Sequence, residues 1–385
     1  MITAKRLSQV GEYYFSAKLK EVRQLAASGK SVINMGIGSP DLPPSSSVID
    51  AMVSALSQPG AHQYQSYQGL PELRRAMQSF YHEHFNVALD ADAEILPLMG
   101  SKEGIVHISL AFLNEGDQVL IPNPGYPTYV SATHLAGGEP VFYDLEQAND
   151  WQPDFDALEK SDLSKVKLMW VNYPHMPTGA TGSLALFEKL VDFAKRNEIL
   201  IVNDNPYSFI LNDNPISILQ VDGAKEVALE LNSLSKTFNI PGWRVGMVLG
   251  NPQLLDAILK VKSNMDSGMF YALQKGAAAA LQSDADWFES QNTIYGQRRD
   301  LIFELATALG CTFDRNAVGL FVWAKLQKNV ASAESFIDDI LYNQHVFITP
   351  GTVFGSQGEG YIRFSLCVPE DQIKQAIERI KNRQP

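Results

Sequence analysis

The sequence predicts an α/β fold: a three-layer α/β/α large domain around a mainly parallel sheet, joined to a smaller α+β domain. Three observations carry this expectation. After Gly100, helical stretches alternate with short apolar runs, several with Val, Ile and Leu on consecutive positions; such runs suit strands buried on both faces of a parallel sheet. From about Asp286 the pattern changes to one long helix, short strand-like runs and a terminal helix, which reads as a separate α+β unit. The chain has 385 residues and is 45% hydrophobic, enough to build a core of this size.

In chain order, the first 40 residues read as a helix and then the loop "GIGSPDLPP", packed near the small domain. The runs "QVLIPNP", "EPVFYDL", "KLMWVNYP", "ILIVNDN", "VALELNSLS" and "RVGMVLG" read as the strands of the large sheet. The long helix "WFESQNTIYGQRRDLIFELATAL" leads into "LFVWAKL", a helix, "VFITPG", "YIRFSLC" and a final helix. The expected boundaries are 41–285 for the large domain, and 1–40 with 286–385 for the small one.

Composition narrows the function. Lys plus Arg number 31 against 43 Asp plus Glu, a formal charge of -12, and no basic tract marks a nucleic-acid footprint. Cys311 and Cys367 are the only cysteines, too few for a disulfide framework or a cysteine-rich zinc site. The seven histidines show no ligand spacing, so no metal is expected. The start lacks an apolar signal region and no run of about 18 apolar residues follows. A cytoplasmic protein without membrane contact is the expectation.

Polar residues collect where this frame places its strand ends, and open α/β sheets bind ligands beyond the carboxyl ends of their strands. Asp204 and Tyr207 follow "ILIVN", Ser233 to Lys236 follow "VALEL", Tyr126 follows "VLIPNPG", and Met176 to Gly179 follow "KLMWVNYP". Gly100-Ser101-Lys102 precedes a helical run, whose free N–H groups and dipole favour an anion; the P-loop spacing is absent. In "NSLSKTFNIPGWRVG", Lys236 sits beside Ser233 and Ser235, with Arg244 eight residues on and Pro241-Gly242-Trp243 stiffening the segment. A lone lysine there would read as a solvated surface charge. A lysine, a strand-end carboxylate and a phenol beside a helix start suit a phosphorylated, nitrogen-containing cofactor that forms an imine, and pyridoxal phosphate fits. Lys236 would hold its aldehyde, Asp204 would keep the pyridine nitrogen protonated, and Ser101, Ser233, Ser235 and Arg244 would bind its phosphate. Lys102, grouped with them, reads equally as a helix-start charge or as a contact to a substrate's distal carboxylate.

These residues resemble a known family. "SLSKTFNIPGWRVG" is similar to the lysine signature of class I/II aminotransferases of the fold-type I pyridoxal phosphate superfamily, and "YQSYQGLPELRRA", "GSKEGI", "NPGYPTY", "DNPY" and "YIRFSL" match further family motifs in order. The likeness runs roughly from Tyr13 to Arg363. It is most similar to the bacterial LL-diaminopimelate aminotransferase-like branch, through "LPLMGSKEGIVHISLAFLN" and "VKSNMDSGMF". The resemblance implies transfer of an amino group from an amino acid to a 2-oxo acid such as 2-oxoglutarate through a Lys236 Schiff base. It further implies that Tyr126 stacks on the pyridine ring and Tyr207 hydrogen-bonds the phenolic oxygen. Arg363, assisted by the backbone of Gly38, would clamp the α-carboxylate, Tyr13 would line the substrate pocket, and Tyr64 would cross a homodimer interface to the partner's phosphate.

One departure is plain. The family has Asn directly before "PTG", donating to the phenolic oxygen that Tyr207 also meets; Met176 stands here, and a thioether cannot donate. The adjacent His175 does not by its position replace that donor. Two rival functions remain. A carbon–sulfur lyase uses the same lysine and arginine but eliminates at Cβ. A ligand-sensing regulator would need an extra N-terminal DNA-binding domain, for which the segment before Tyr13 leaves no room.

Overall fold

The computed structural model describes residues 3–11 and 14–383. A helix, Tyr14–Ala27, leads to the short strand β1 (Ile33–Asn34). Seven strands then build the large sheet: β2 (Ile95–Leu98), β3 (Gln118–Asn123), β4 (Glu139–Asp144), β5 (Val166–Val171), β6 (Leu200–Asp204), β7 (Ala228–Ser233) and β8 (Gly246–Leu249). Their order is β2-β8-β7-β6-β5-β3-β4. Every neighbouring pair is parallel except those of β8, which runs antiparallel to β2 and β7. The sheet is thus mainly parallel, as the apolar runs predict, and β2 is an addition: its run "ILPL" precedes Gly100, where the sequence reading of strands begins.

Helices cover both faces, which explains the unbroken apolar runs. Within β5, Met169 and Val171 join the core that contains Phe80 and Phe187, whereas Trp170 points into the opposite core with Ile105, Tyr129 and Ile258. Both faces of that strand are therefore buried. The register sets Asp204 of β6 opposite Leu231 of β7, and Ser233 opposite Gly246 of β8. That alignment brings Asp204 and Ser233 to the same carboxyl edge.

The C-terminal part contains β9 (Thr312–Phe313), β10 (Phe321–Lys325), β11 (Val346–Phe347), β12 (Thr349–Pro350) and β13 (Tyr361–Ser365). β12-β13-β10-β9 form an antiparallel sheet, and β1 pairs in parallel with β11 through Ile33 opposite Val346. The N-terminal segment also reaches β13, because Ser365 N–H donates to the Met35 carbonyl. The helix Ala285–Ala308 is capped by Asp284, whose side chain accepts from the Trp287 N–H. From this helix the buried Arg298 donates two bonds to Asp41, at 2.7 and 3.0 Å, and one to Glu370 at 3.1 Å. Two carboxylates compensate the buried guanidinium, and the "SPDLPP" loop is fastened to the C-terminal half. Among the described residues, no helix is long and apolar enough to cross a membrane.

Candidate active site

One cavity of about 560 Å³ lies at the carboxyl edge of the large sheet, and it gathers most of the residues singled out in the sequence. Ser101 and Lys102 reach it from the start of the helix Ser101–Phe112, Tyr126 from the loop after β3, Asp204 and Tyr207 from the end of β6, and Ser233, Ser235, Lys236 and Arg244 from the segment after β7. Gly38 and Arg363 close it from the other side. Two predicted residues are not placed there. Tyr64 does not line the cavity, and its side chain is 89% exposed. Tyr13 lies outside the described residues.

Local structure explains each placement. Ser233 caps the short helix Leu234–Thr237 by accepting from the Ser235 N–H at 3.2 Å, turning the chain at the end of β7 so that Lys236 enters the cavity. Lys236 Nζ donates to the Gly38 carbonyl at 2.7 Å. Burial lowers the pKa of this amine; the Cys367 side chain opposes the shift, and Arg363 and Arg244 add to it. Gly100 takes φ +88°, and a Cβ there would lie 2.2 Å from Arg244 Nη2. The arginine thus rests directly on the backbone that opens the Ser101 helix, and Arg244 itself holds the left-handed φ of +56°. Lys102 has its pKa lowered by burial and then by Arg244.

Asp204 is buried, and its pKa is pushed up to about 7 by that burial, opposed by a bond from Tyr129. Tyr129 OH donates to Oδ2 at 2.9 Å, while Oδ1 is buried with no hydrogen-bond partner. Arg363 packs over two rings, its Cζ 3.9 Å from the centre of Phe321 and 4.6 Å from that of Phe354. Its Nη2 donates to the Gly36 carbonyl at 2.8 Å and its Nη1 to Met176 Sδ at 3.3 Å. The Met176 thioether therefore lies in the cavity wall beside the arginine. His175 is buried away from the cavity lining, with Nδ1 2.7 Å from the Thr178 hydroxyl, and burial holds its pKa down to about 3. Burial also raises the Tyr207 phenol above its ordinary range.

Sequence reasoning missed two polar residues of this cavity, Tyr129 and Asn172. Asn172 donates to the Asp204 carbonyl and accepts from the Met176 N–H at 2.7 Å, so one side chain ties β6 to the loop after β5. The available signal was position alone, since Tyr129 stands three residues after Tyr126 and Asn172 directly follows β5. Beyond the cavity, Glu103, His107 and Asp266 cluster together, and the buried Lys262 Nζ lies 2.9 Å from Asp266 Oδ2, giving that carboxylate a cationic partner.

The donor set fits pyridoxal phosphate. Ser235 Oγ is buried with no partner, as is Asp204 Oδ1, and such groups cost stability unless something meets them. Ser101, Ser233, Ser235 and Arg244 could hold a phosphate at the helix start, and Asp204 could receive a pyridinium N–H.

A large mixed sheet with this edge site, lysine and carboxylate defines a fold-type I pyridoxal phosphate enzyme. The sequence matches the family described as aminotransferase class I and II over residues 30–380, and the chain belongs to it. LL-diaminopimelate aminotransferase of Dehalococcoides mccartyi is 40% identical over 384 residues, covering 99% of both chains; that of Aquifex aeolicus is 40% identical over 379 residues, covering 98% of each. The structure of BacF from Bacillus subtilis matches with a TM-score of 0.95 at 34% identity, covering 99% of this chain and 98% of that one. The protein is a pyridoxal-phosphate-dependent aminotransferase, and the carbon–sulfur lyase reading falls away.

Proposed function

We propose that this enzyme takes the amino group from an amino acid whose far end is polar or charged and passes it to 2-oxoglutarate, with Lys236 as the covalent anchor and proton carrier. The observation that carries the reading is the joint placement of Lys236, Asp204 and Arg363 around one cavity, with Lys102 on its wall. Relatives named LL-diaminopimelate aminotransferase support a donor of this two-ended kind and a place in amino-acid biosynthesis.

When bound, the cofactor supplies an aldehyde for the amino group and an electron sink for the bond that breaks. The chain does the rest. Arg363, packed over the rings of Phe321 and Phe354, would offer its planar fork to the α-carboxylate. The amine of Lys236 would take the proton from the donor's Cα and pass it to the cofactor, and would run the same transfer in reverse to supply the acceptor's Cα; burial, which favours its neutral form, suits that work. As a carboxylate, Asp204 would accept from the protonated pyridine nitrogen, Tyr126 would flank the ring, and Tyr207 would donate to the phenolic oxygen. Ser101, Ser233, Ser235 and Arg244 hold the phosphate, and Lys102 meets the far end of the donor. Gly38 would border the substrate.

The same reading includes a cytoplasmic homodimer in which Tyr64 serves the partner's cavity; its 89% exposure in the single chain supports this. It also keeps the division into a large domain of residues 41–285 and a small domain of 1–40 with 286–385.

Two measurements test the proposal. Borohydride treatment should fix the cofactor to the peptide containing Lys236, and label on another lysine would refute the anchor. A panel of donors against 2-oxoglutarate should favour LL-diaminopimelate or another two-ended donor. Turnover of apolar donors alone would refute the donor class.

A further inference from the structure

Asp204 is the most constrained carboxylate of the site. Its backbone carbonyl accepts from Asn172, its Oδ2 accepts from Tyr129, and its Oδ1 is left buried and unpartnered in the residue that lines the cavity. Tyr129 is fully buried, and its ring stacks on Trp170 at 4.9 Å with 6° between the planes, while Tyr126 meets it edge-on at 5.6 Å. The phenol is therefore held in place by packing, independently of the bond it donates. A phenol that only filled this core would carry no reason to aim its hydroxyl at the one carboxylate of the cavity.

We infer that Tyr129 is a positioning residue: its hydroxyl fixes the Asp204 carboxylate so that Oδ1 faces the cofactor's ring nitrogen, and it stabilises the ionised form that this nitrogen needs. The inference rests on the proposed pairing of Asp204 with that nitrogen. A hydrogen bond to a carboxylate favours the charged form, and at Asp204 it works against a burial that pushes the pKa up to about 7. The titratable groups that act on or with Asp204 are Tyr129, on the helix Thr128–Leu135, and Tyr207, just beyond β6; Tyr126, on the loop after β3, acts on both of these tyrosines, and Arg363 acts on Tyr207 from β13. Among them, Tyr129 is the one that hydrogen-bonds the Asp204 side chain.

The test is the pH dependence of pyridoxal phosphate affinity, measured by equilibrium titration with the full chain between about pH 5 and 9. In Tyr129→Phe, which keeps the ring and loses only the hydroxyl, affinity at neutral pH should fall about tenfold, and the midpoint of the profile should move up by about one unit. In an Asp204→Asn background the same change should do nothing beyond about twofold. A site-specific fluorotyrosine at position 129, a stronger donor of the same shape, should move the midpoint down; this arm keeps the inference testable if the Phe variant fails to fold. An unmoved midpoint in both variants, or an equal effect in the Asn background, would overturn the role. Wild-type uptake that Asp204→Asn weakens and Tyr129→Phe leaves untouched would overturn the Tyr129 inference alone. Indifference to Asp204→Asn would overturn the Asp204 pairing as well.

Discussion

Met176 Sδ lies 3.3 Å from Arg363 Nη1, so a thioether touches the arginine at the position where the motif resemblance leads one to expect an asparagine. Sulfur is a weak acceptor and no donor, and the neighbouring imidazole is turned toward Thr178 and away from the cavity. In the proposed site the phenolic oxygen of the cofactor would thereby be left with Tyr207 as its motif donor.

A spectroscopic consequence follows from the missing amide. Hydrogen bonds to a charged group are worth about 1.5 to 3 kcal/mol, or roughly one to two pKa units. Met176→Asn should lower the pKa of the visible chromophore by about that amount in a spectrophotometric titration. An unchanged or raised value would mean that another group already fills the place.

Arg363 should serve every substrate alike, because its fork is held by packing over Phe321 and Phe354 and by its bond to the Gly36 carbonyl. Arg363→Ala should cost about 2 to 5 kcal/mol in kcat/KM for all donors. Steady-state kinetics with three unrelated donors checks this, and selective loss for one of them contradicts the shared clamp.

Replacing Gly100 should damage the phosphate side without touching the lysine. A Cβ at this position would sit 2.2 Å from Arg244 Nη2 and would also strain a φ of +88°. Gly100→Ala should weaken pyridoxal phosphate binding by about tenfold or more, the scale of one lost charge-assisted bond. Equilibrium dialysis reads the affinity and circular dichroism confirms the fold; wild-type affinity in the variant sinks the expectation.

Asp204 makes a pH prediction for the protein without cofactor. Its folded pKa is raised from 3.8 to about 7, so the folded state holds this proton more tightly than the unfolded chain does. The resulting stability is fully present below about pH 4 and is lost as pH rises toward 7. A shift of this size corresponds to at most roughly 4 kcal/mol. Asp204→Asn should flatten that part of the urea-unfolding profile, and a variant whose profile keeps the same slope refutes the assignment.

The parts of this architecture that announce themselves in sequence are those where many residues point the same way. Strands β3 and β5 to β8 show as apolar runs because both of their faces are buried, the edge strand β4 shows through its short apolar run alone although most of it is exposed or half-buried, and the lysine loop shows because several rare residue types crowd into it. Strand β2 escapes because four residues with Pro97 in the middle make a weak periodic signal. The β1–β11 pair escapes for a different reason, since two-residue strands are defined by a partner more than 300 positions away. Tyr129 and Asn172 carry no local mark of function. Their roles depend on the register that sets β5 and β6 side by side, and that register is a tertiary fact.

The bond from Arg363 to the Gly36 carbonyl joins residues 327 positions apart, and this separation has a meaning for synthesis. A ribosome adding about 5 to 20 residues per second needs roughly 15 to 65 s to go from one partner to the other. During that interval the large sheet, complete once Leu249 has emerged, can already close around its core, while Met35 and Gly36 wait for β13. Proteolysis of nascent chains arrested at about residue 300 should therefore find the sheet protected and the leading segment open to cleavage. Early protection of that leading segment would show that it docks on something other than its final partners.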